Sequence, residues 1–310
     1  METAARDPAE ALRPRRLRRR TPLRFRRAVP GSALFDVMGD RPLGGRIRAV
    51  RRIALALLWT ALCIPVQAVL INLPGRGKAA FARWYWRGMC FLLGVRLQVL
   101  GARPAGPRTL YLANHSSWLD IVVLGSVLEA PFVSKAEVRG WPLIGLVARL
   151  GRTVFVSRAR ARGAMGSEAN EMRERLAAGD AIILFPEGTS SDGARVLPFR
   201  SSFLAVADAA AAVQPVSVGY DRLGGLPACR RDRPLFAWYG DMDIGSHVWR
   251  LARHAGLRAT VVLHEPLAPD AIPNRKRLSA AVEATVAEGA ATLRQNRPPR
   301  SLAVVAATSA

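Results

Sequence analysis

The chain has 310 residues, half of them hydrophobic, which suffices for one substantial α/β domain with appendages or for two small domains. With 46 Lys and Arg against 23 Asp and Glu, the net charge is +23, so an anionic partner is expected: nucleic acid, a membrane surface or phosphorylated substrates. Cys63, Cys90 and Cys229 are too few and too far apart for a disulfide framework or a cysteine-based zinc site.

Residues 1–52 hold 15 Arg against 5 Asp and Glu, a net of +10 from one sixth of the chain. Like charges at this density repel, so a disordered basic arm is expected, drawn to anionic membrane lipids. Ile53–Leu73 then runs for 21 residues without a charge, the length needed to cross a hydrocarbon core, with Pro65 positioned to kink it. Arg46, Arg48, Arg51 and Arg52 precede it, which predicts a cytoplasmic N-terminus. A single span would place everything after it on the far side. Trp84–Leu100 offers a return: Trp84, Tyr85 and Trp86 suit a headgroup belt, and Phe91, Leu92, Leu93 and Val95 are apolar. A membrane-associated helix pair over residues 53–100, hairpin or re-entrant, is therefore expected. It would keep the rest of the chain on the cytoplasmic side of the inner membrane.

From residue 101 the pattern alternates. Short β-rich runs at Thr109–Leu112, Thr153–Val156, Ala181–Phe185, Val213–Val218 and Ala259–Leu263 are separated by helix-like stretches. One helix is expected over Gly166–Leu176, and another from Ser246 to Gly256. This alternation predicts an α/β domain over residues 101–270, with a largely parallel sheet and flanking helices. A C-terminal helix and tail should follow over 271–310.

Two segments carry chemistry. In Tyr111–Asp120 a strand ends in Asn114, His115, Ser116 and Ser117, and a helix begins near Ser117. Acyl transfer to an alcohol needs a base with a pKa near neutrality, and a carboxylate on the other ring nitrogen would fix the tautomer. Five positions along a helix rotate about 140°, so His115 must precede the helix and fold back towards Asp120. Taken alone, the pair reads equally as a strand-end His with an unrelated helix-surface Asp; a metal pair is a further alternative, but His247, His254 and His264 fall at poor spacing for further ligands. In the second segment Phe185-Pro186-Glu187-Gly188-Thr189-Ser190 follows a strand. Gly188 permits a tight turn and close approach, and nearby amides with the Thr189 and Ser190 hydroxyls can receive a phosphate or an oxyanion. Glu187 can order this loop or orient the acceptor. Asp241 and Asp243 read as a turn and a helix cap rather than a metal site.

Together the two segments resemble the glycerolipid acyltransferases, the family of 1-acylglycerol-3-phosphate acyltransferase. Its Asn-His-x-x-x-x-Asp block is met by Asn114, His115 and Asp120, and its Phe-Pro-Glu-Gly-Thr block by Phe185–Thr189. Gly151–Arg158 looks like the family block that ends in a phosphate-binding Arg, a role the resemblance gives to Arg158. Val213-Gln214-Pro215-Val216 matches a later strand block. The blocks stand in order over about residues 105–220. In one place the chain departs from the pattern: the family usually has Arg after Glu-Gly-Thr, where this chain has Ser190.

The resemblance implies transfer of a fatty acyl group from acyl-CoA or acyl carrier protein to a lysolipid hydroxyl, with no further cofactor. The leading acceptor is 1-acylglycerol-3-phosphate, giving phosphatidic acid. Because Ser190 replaces a phosphate-holding Arg, lyso-ornithine lipid is the alternative acceptor, with Arg195 or Arg200 as replacement cations should the acceptor carry phosphate. Outside this class stand a catalytically silent membrane scaffold, a hydrolase using the same His, and a basic nucleic-acid-binding protein. Nucleic acid is not an expected partner, because it leaves the uncharged 21-residue run unexplained and no interleaved aromatic and basic reader motif is present.

Overall fold

The computed structural model describes residues 44–156 and 164–305. The basic arm lies mostly outside them, as does Arg158. From Gly45 onward, however, the arm is helical.

Helix α1 (Gly45–Leu70) and helix α2 (Gly77–Leu93) form a hairpin. α1 is built inside out. Its buried positions are Gly45, Ala49, Arg52, Ala56, Thr60, Cys63 and Gln67, at spacings of three or four residues, so small and polar side chains face the protein. Its large apolar side chains, among them Ile47, Leu58, Leu62 and Val69, face outward and are exposed. Inside, Thr60 meets the Tyr85 hydroxyl at 3.0 Å, and Gln67 donates to the Lys78 and Leu150 carbonyls. α1 is the one helix among the described residues long and apolar enough to cross a membrane. Pro65 sits within it without ending it.

The second helix does not reach Leu100. Gly94 adopts the left-handed conformation that ends helices (φ 75°), and Val95–Gly101 becomes strand β1. The apolar run Trp84–Leu100 is expected as one membrane segment, but its last six residues pair with a distant strand instead. The main sheet also contains β2 (Thr109–Ala113), β5 (Ile182–Leu184), β6 (Ala212–Leu223) and β8 (Leu257–Leu263), in the order β1-β8-β6-β2-β5. All neighbours are parallel except β6 and β8. The short β7 (Leu226–Pro227) turns back on β6. β3 (Val133–Lys135) and β4 (Val154–Val156) form a separate parallel ribbon, which Phe132 bridges to Ile183.

β2 is buried along its whole length, as expected of a central parallel strand covered on both faces. Leu110 and Leu112 join Ile182 and Leu184 on one face, under helix α5 (Ala164–Ala177) and helix α8 (Arg275–Arg294). Tyr111 and Ala113 join Ile183, Val216 and Val218 on the other, under α2 and helix α3 (Leu119–Val127). Between lie the short helices α4 (Ile144–Leu150) and α6 (Arg233–Phe236), and helix α7 (Ile244–Arg253). The Asp243 side chain caps α7 by accepting from the Ser246 amide at 2.6 Å, so the cap lies three residues before the expected Ser246.

Two arginines tie α1 to this domain. Arg48 donates to the Arg253 carbonyl at 2.6 Å, and the buried Arg52 reaches the carbonyls of Ala252, His254 and Ala255. These carbonyls end α7, where helical partners run out and the dipole favours a cation.

Candidate active site

β2 delivers Asn114 and His115 to the carboxyl end of the sheet, and the chain turns there into α3. Asp120, in the first turn of α3 and fully buried, gathers this turn. Its Oδ2 accepts from the Ser116 and Ser117 amides at 2.7 and 2.8 Å, which folds the loop so that the His115 ring returns over the helix start. His115 Nδ1 then lies 2.9 Å from the same oxygen, the fold-back that the five-residue spacing demands. Because a carboxylate only accepts, Nδ1 carries the proton and Nε2 presents a lone pair. The other carboxylate oxygen accepts from the Tyr220 hydroxyl of β6 at 2.6 Å. Burial and the Asp120 charge push the Tyr220 hydroxyl well above its ordinary value, so it remains a donor.

Phe185 stacks beneath the His115 ring, centroids 4.1 Å apart and planes 17° from parallel. Asn114 clasps the neighbouring strand: its amide donates to the Val218 carbonyl at 3.0 Å and its oxygen accepts the Val218 amide at 2.8 Å. Trp118 donates to His247 Nδ1 at 3.0 Å, and His247 Nε2 donates to the Ala237 carbonyl. Burial lowers His247 to about 4, so it stays neutral in this chain of bonds.

Glu187 binds the two motif loops together. Oε1 accepts the His115 amide at 2.6 Å and Oε2 the Leu197 amide at 2.7 Å, while the His115 carbonyl accepts from Ser191 at 2.9 Å. Burial pushes the Glu187 carboxyl up to about 8, but each oxygen faces an amide donor, the arrangement of an ionised carboxylate, and the geometry decides for the charged form. Gly188 has φ 69°, and its amide donates to the Phe185 carbonyl at 3.0 Å. Phe203 and the Arg200 guanidinium lie 3.2–3.4 Å from where a Cβ on Gly188 would sit. Thr189 and Ser190 are half-buried, and their backbone and hydroxyl groups make no hydrogen bond among the described residues. They, rather than Gly188, keep donors free.

The structure thus brings His115, Asp120, Glu187, Gly188, Thr189 and Ser190 to one place. Of the two replacement cations, Arg200 lies against Gly188, whereas Arg195 lines, with Arg233 and Arg294, a cavity that Asn114, Ser116 and Tyr220 also line. Sequence reasoning missed Tyr220 and the Asn114 clasp. Their signal was the two-residue period of β6, which sets Val216, Val218 and Tyr220 on the face that meets α3. Among the described residues no three His, Cys, Asp or Glu side chains gather as a metal site would require.

The Acyltransferase family profile matches residues 95–219, from β1 to the middle of β6. The lyso-ornithine lipid O-acyltransferase of Brucella abortus is 38% identical over 247 residues, covering 77% of this chain and 92% of that protein. The 1-acyl-sn-glycerol-3-phosphate acyltransferase of Neisseria meningitidis is 33% identical over 168 residues, covering 53% of this chain and 63% of that protein. In fold, the chain is similar to the 1-acyl-sn-glycerophosphate acyltransferase PlsC of Thermotoga maritima, with a TM-score of 0.53, 23% identity, and coverage of 78% of this chain and 98% of the other. A block order, a fold and a near full-length relative agree, and the chain belongs to the acyltransferase family as a lysolipid O-acyltransferase.

Proposed function

We propose that the chain O-acylates lyso-ornithine lipid, with His115 Nε2 as general base and an acyl thioester of coenzyme A or acyl carrier protein as donor. The chemistry rests on one observation: Asp120 holds the His115 ring by Nδ1 and leaves Nε2 free. As the acceptor hydroxyl oxygen attacks the thioester carbonyl, Nε2 takes its proton. The Thr189 and Ser190 amides are the free donors for the resulting oxyanion. When the carbon–sulfur bond breaks, the thiolate recovers the proton from His115, and ester and thiol leave. No covalent acyl-enzyme forms.

Ser190 favours this acceptor, standing where the family pattern that the chain resembles usually has Arg. The Brucella relative that matches over nearly its whole length carries the same substrate in its name. A second reading, 1-acylglycerol-3-phosphate, is favoured by the Arg200 guanidinium beside Gly188, which can stand in for that Arg. Arg158 keeps the phosphate-binding role its resemblance implies.

The hairpin of α1 and α2 attaches the enzyme to the membrane through its outward apolar face, where Trp84 and Phe91 are also exposed. Its inner face is closed against the domain, so attachment through one leaflet of the inner membrane suffices and the catalytic domain stays cytoplasmic.

The test is a transfer assay with labelled acyl thioester, offering both acceptors in parallel. Product from lyso-ornithine lipid, lost by about 10²–10⁴-fold in His115→Ala, is the expected result. Near-normal turnover by that variant would remove the base assignment, and product from 1-acylglycerol-3-phosphate alone would reverse the acceptor.

A further inference from the structure

The two chain neighbours of His115, Asn114 and Ser116, line a cavity with Ser191 and Tyr220 that is partly open to solvent. Three arginines from separate parts of the chain complete its wall: Arg195 in the loop after Glu187, Arg233 at the start of α6, and Arg294 at the end of α8. Two of them lie outside the span matched by the family profile. Among the described residues none of the three guanidiniums has a hydrogen-bond or ion-pair partner.

Arg233 and Arg294 are half-buried and face one cavity. Burial and the Arg233 charge both lower the Arg294 guanidinium, with Glu187 and Asp192 pulling the other way. Neither carboxylate closes a pair. Both Glu187 oxygens are taken by the His115 and Leu197 amides, while Asp192 is exposed and accepts from the Ala194 amide. Two half-buried cations sharing a cavity with no carboxylate paired to either repel one another, and an anion between them removes that cost. The guanidinium fork matches a planar carboxylate in particular.

We propose that this cavity binds the anionic end of the acceptor's zwitterionic headgroup, the ornithine α-carboxylate, on Arg233 and Arg294, with Arg195 at its rim, leaving the δ-ammonium directed away from the arginines. This rests on the lyso-ornithine acceptor proposed above. It also explains how the chain dispenses with the Arg its relatives carry after Glu-Gly-Thr: the acceptor's anion is held across the loop instead. Placement beside Asn114 and Ser116 holds the headgroup one residue from His115 on either side.

The experiment compares lyso-ornithine lipid with its α-carboxamide analogue on the wild type, Arg294→Lys, and the double variant Arg233→Gln/Arg294→Gln, with donor concentration varied separately. The wild type should prefer the carboxylate by about 10–100-fold in kcat/KM, the worth of one or two charge-assisted hydrogen bonds. The double variant should bring that preference within about twofold, through the acceptor KM, with donor KM unchanged. Arg294→Lys, which keeps the charge but loses the fork, should fall between. The preference is a ratio measured within one protein, so partial misfolding of a variant does not alter it. An undiminished preference in the double variant would overturn the proposal, as would a rise in donor KM in place of acceptor KM. If the wild type acylates only 1-acylglycerol-3-phosphate, the acceptor reading itself falls and takes the carboxylate with it. Product from lyso-ornithine lipid with an unchanged preference removes the cavity assignment alone.

Discussion

The Tyr220 hydroxyl donates to Asp120 Oδ1 at 2.6 Å, joining residues 100 positions apart in sequence. It places a strand residue in the hydrogen-bond shell of the carboxylate that holds His115. Removing one bond to a buried charge costs about 1–3 kcal/mol. Tyr220→Phe is therefore expected to lower kcat by roughly 5–100-fold with little change in either KM. Steady-state kinetics with both substrates varied checks this, and an unchanged kcat would leave Tyr220 a packing residue.

Asp120 accepts four hydrogen bonds, three of them at one oxygen. An amide in its place offers one acceptor and turns a donor towards donors. Asp120→Asn is expected to lose about 10³–10⁴-fold in kcat, the scale reached when a catalytic His is held in the wrong tautomer. The same variant should unfold more readily, because the Ser116 and Ser117 amides lose their acceptor. Turnover and thermal unfolding on one preparation separate the two effects.

Glu187 uses both oxygens on amides from different loops. Glu187→Gln leaves one of those amides facing an NH₂ group, at a cost of about 1–3 kcal/mol. A lower melting temperature accompanied by a fall in kcat is expected. Full activity at a normal melting temperature would show that the two loops hold without it.

Burial lowers both His247 and His264 to about 4, against an ordinary value of 6.5. Below pH 6.5 the unfolded chain takes up protons that the folded chain refuses until about pH 4. Each residue therefore withdraws stability as pH falls through that window, by about 1.4 kcal/mol per pH unit, and has no effect above it. Denaturant unfolding of His247→Asn should show a shallower acid slope than the wild type by one proton. Other groups titrate alike in both proteins and cancel in the comparison. Equal slopes would mean that His247 is protonated inside the fold.

Much of this was legible in the sequence because the informative patterns were local. All five expected strand runs meet an observed strand, three lying wholly within it and two overrunning it by a residue or two, since apolar runs bounded by turn residues need no distant partner to be read. The His115–Asp120 fold-back was also local, a matter of helical geometry. β1 is hard to read because Val95–Leu100 follows an apolar helix without a break in composition, and the change is marked by Gly94 and by the short alternation of Val95, Leu97 and Val99 with Arg96 and Gln98. β3, three residues long, left no period to detect. Tyr220, Arg233 and Arg294 reach the site from beyond residue 200, and their approach depends on sheet order and on the path of α8. The sequence holds neither as a spacing.

The Arg52 guanidinium fills the space that a Cβ on Gly94 would take, so the start of α1 and the end of α2 lie side by side. A chain that departs and returns at one point makes no net journey. For biosynthesis this means that no polar domain has to be threaded through a lipid barrier. On the one-leaflet attachment proposed above, the enzyme would be completed on the ribosome, close its sheet, and only afterwards settle by one greasy flank. An attachment of that kind is set by partition rather than by translocation, and would be undone without unfolding.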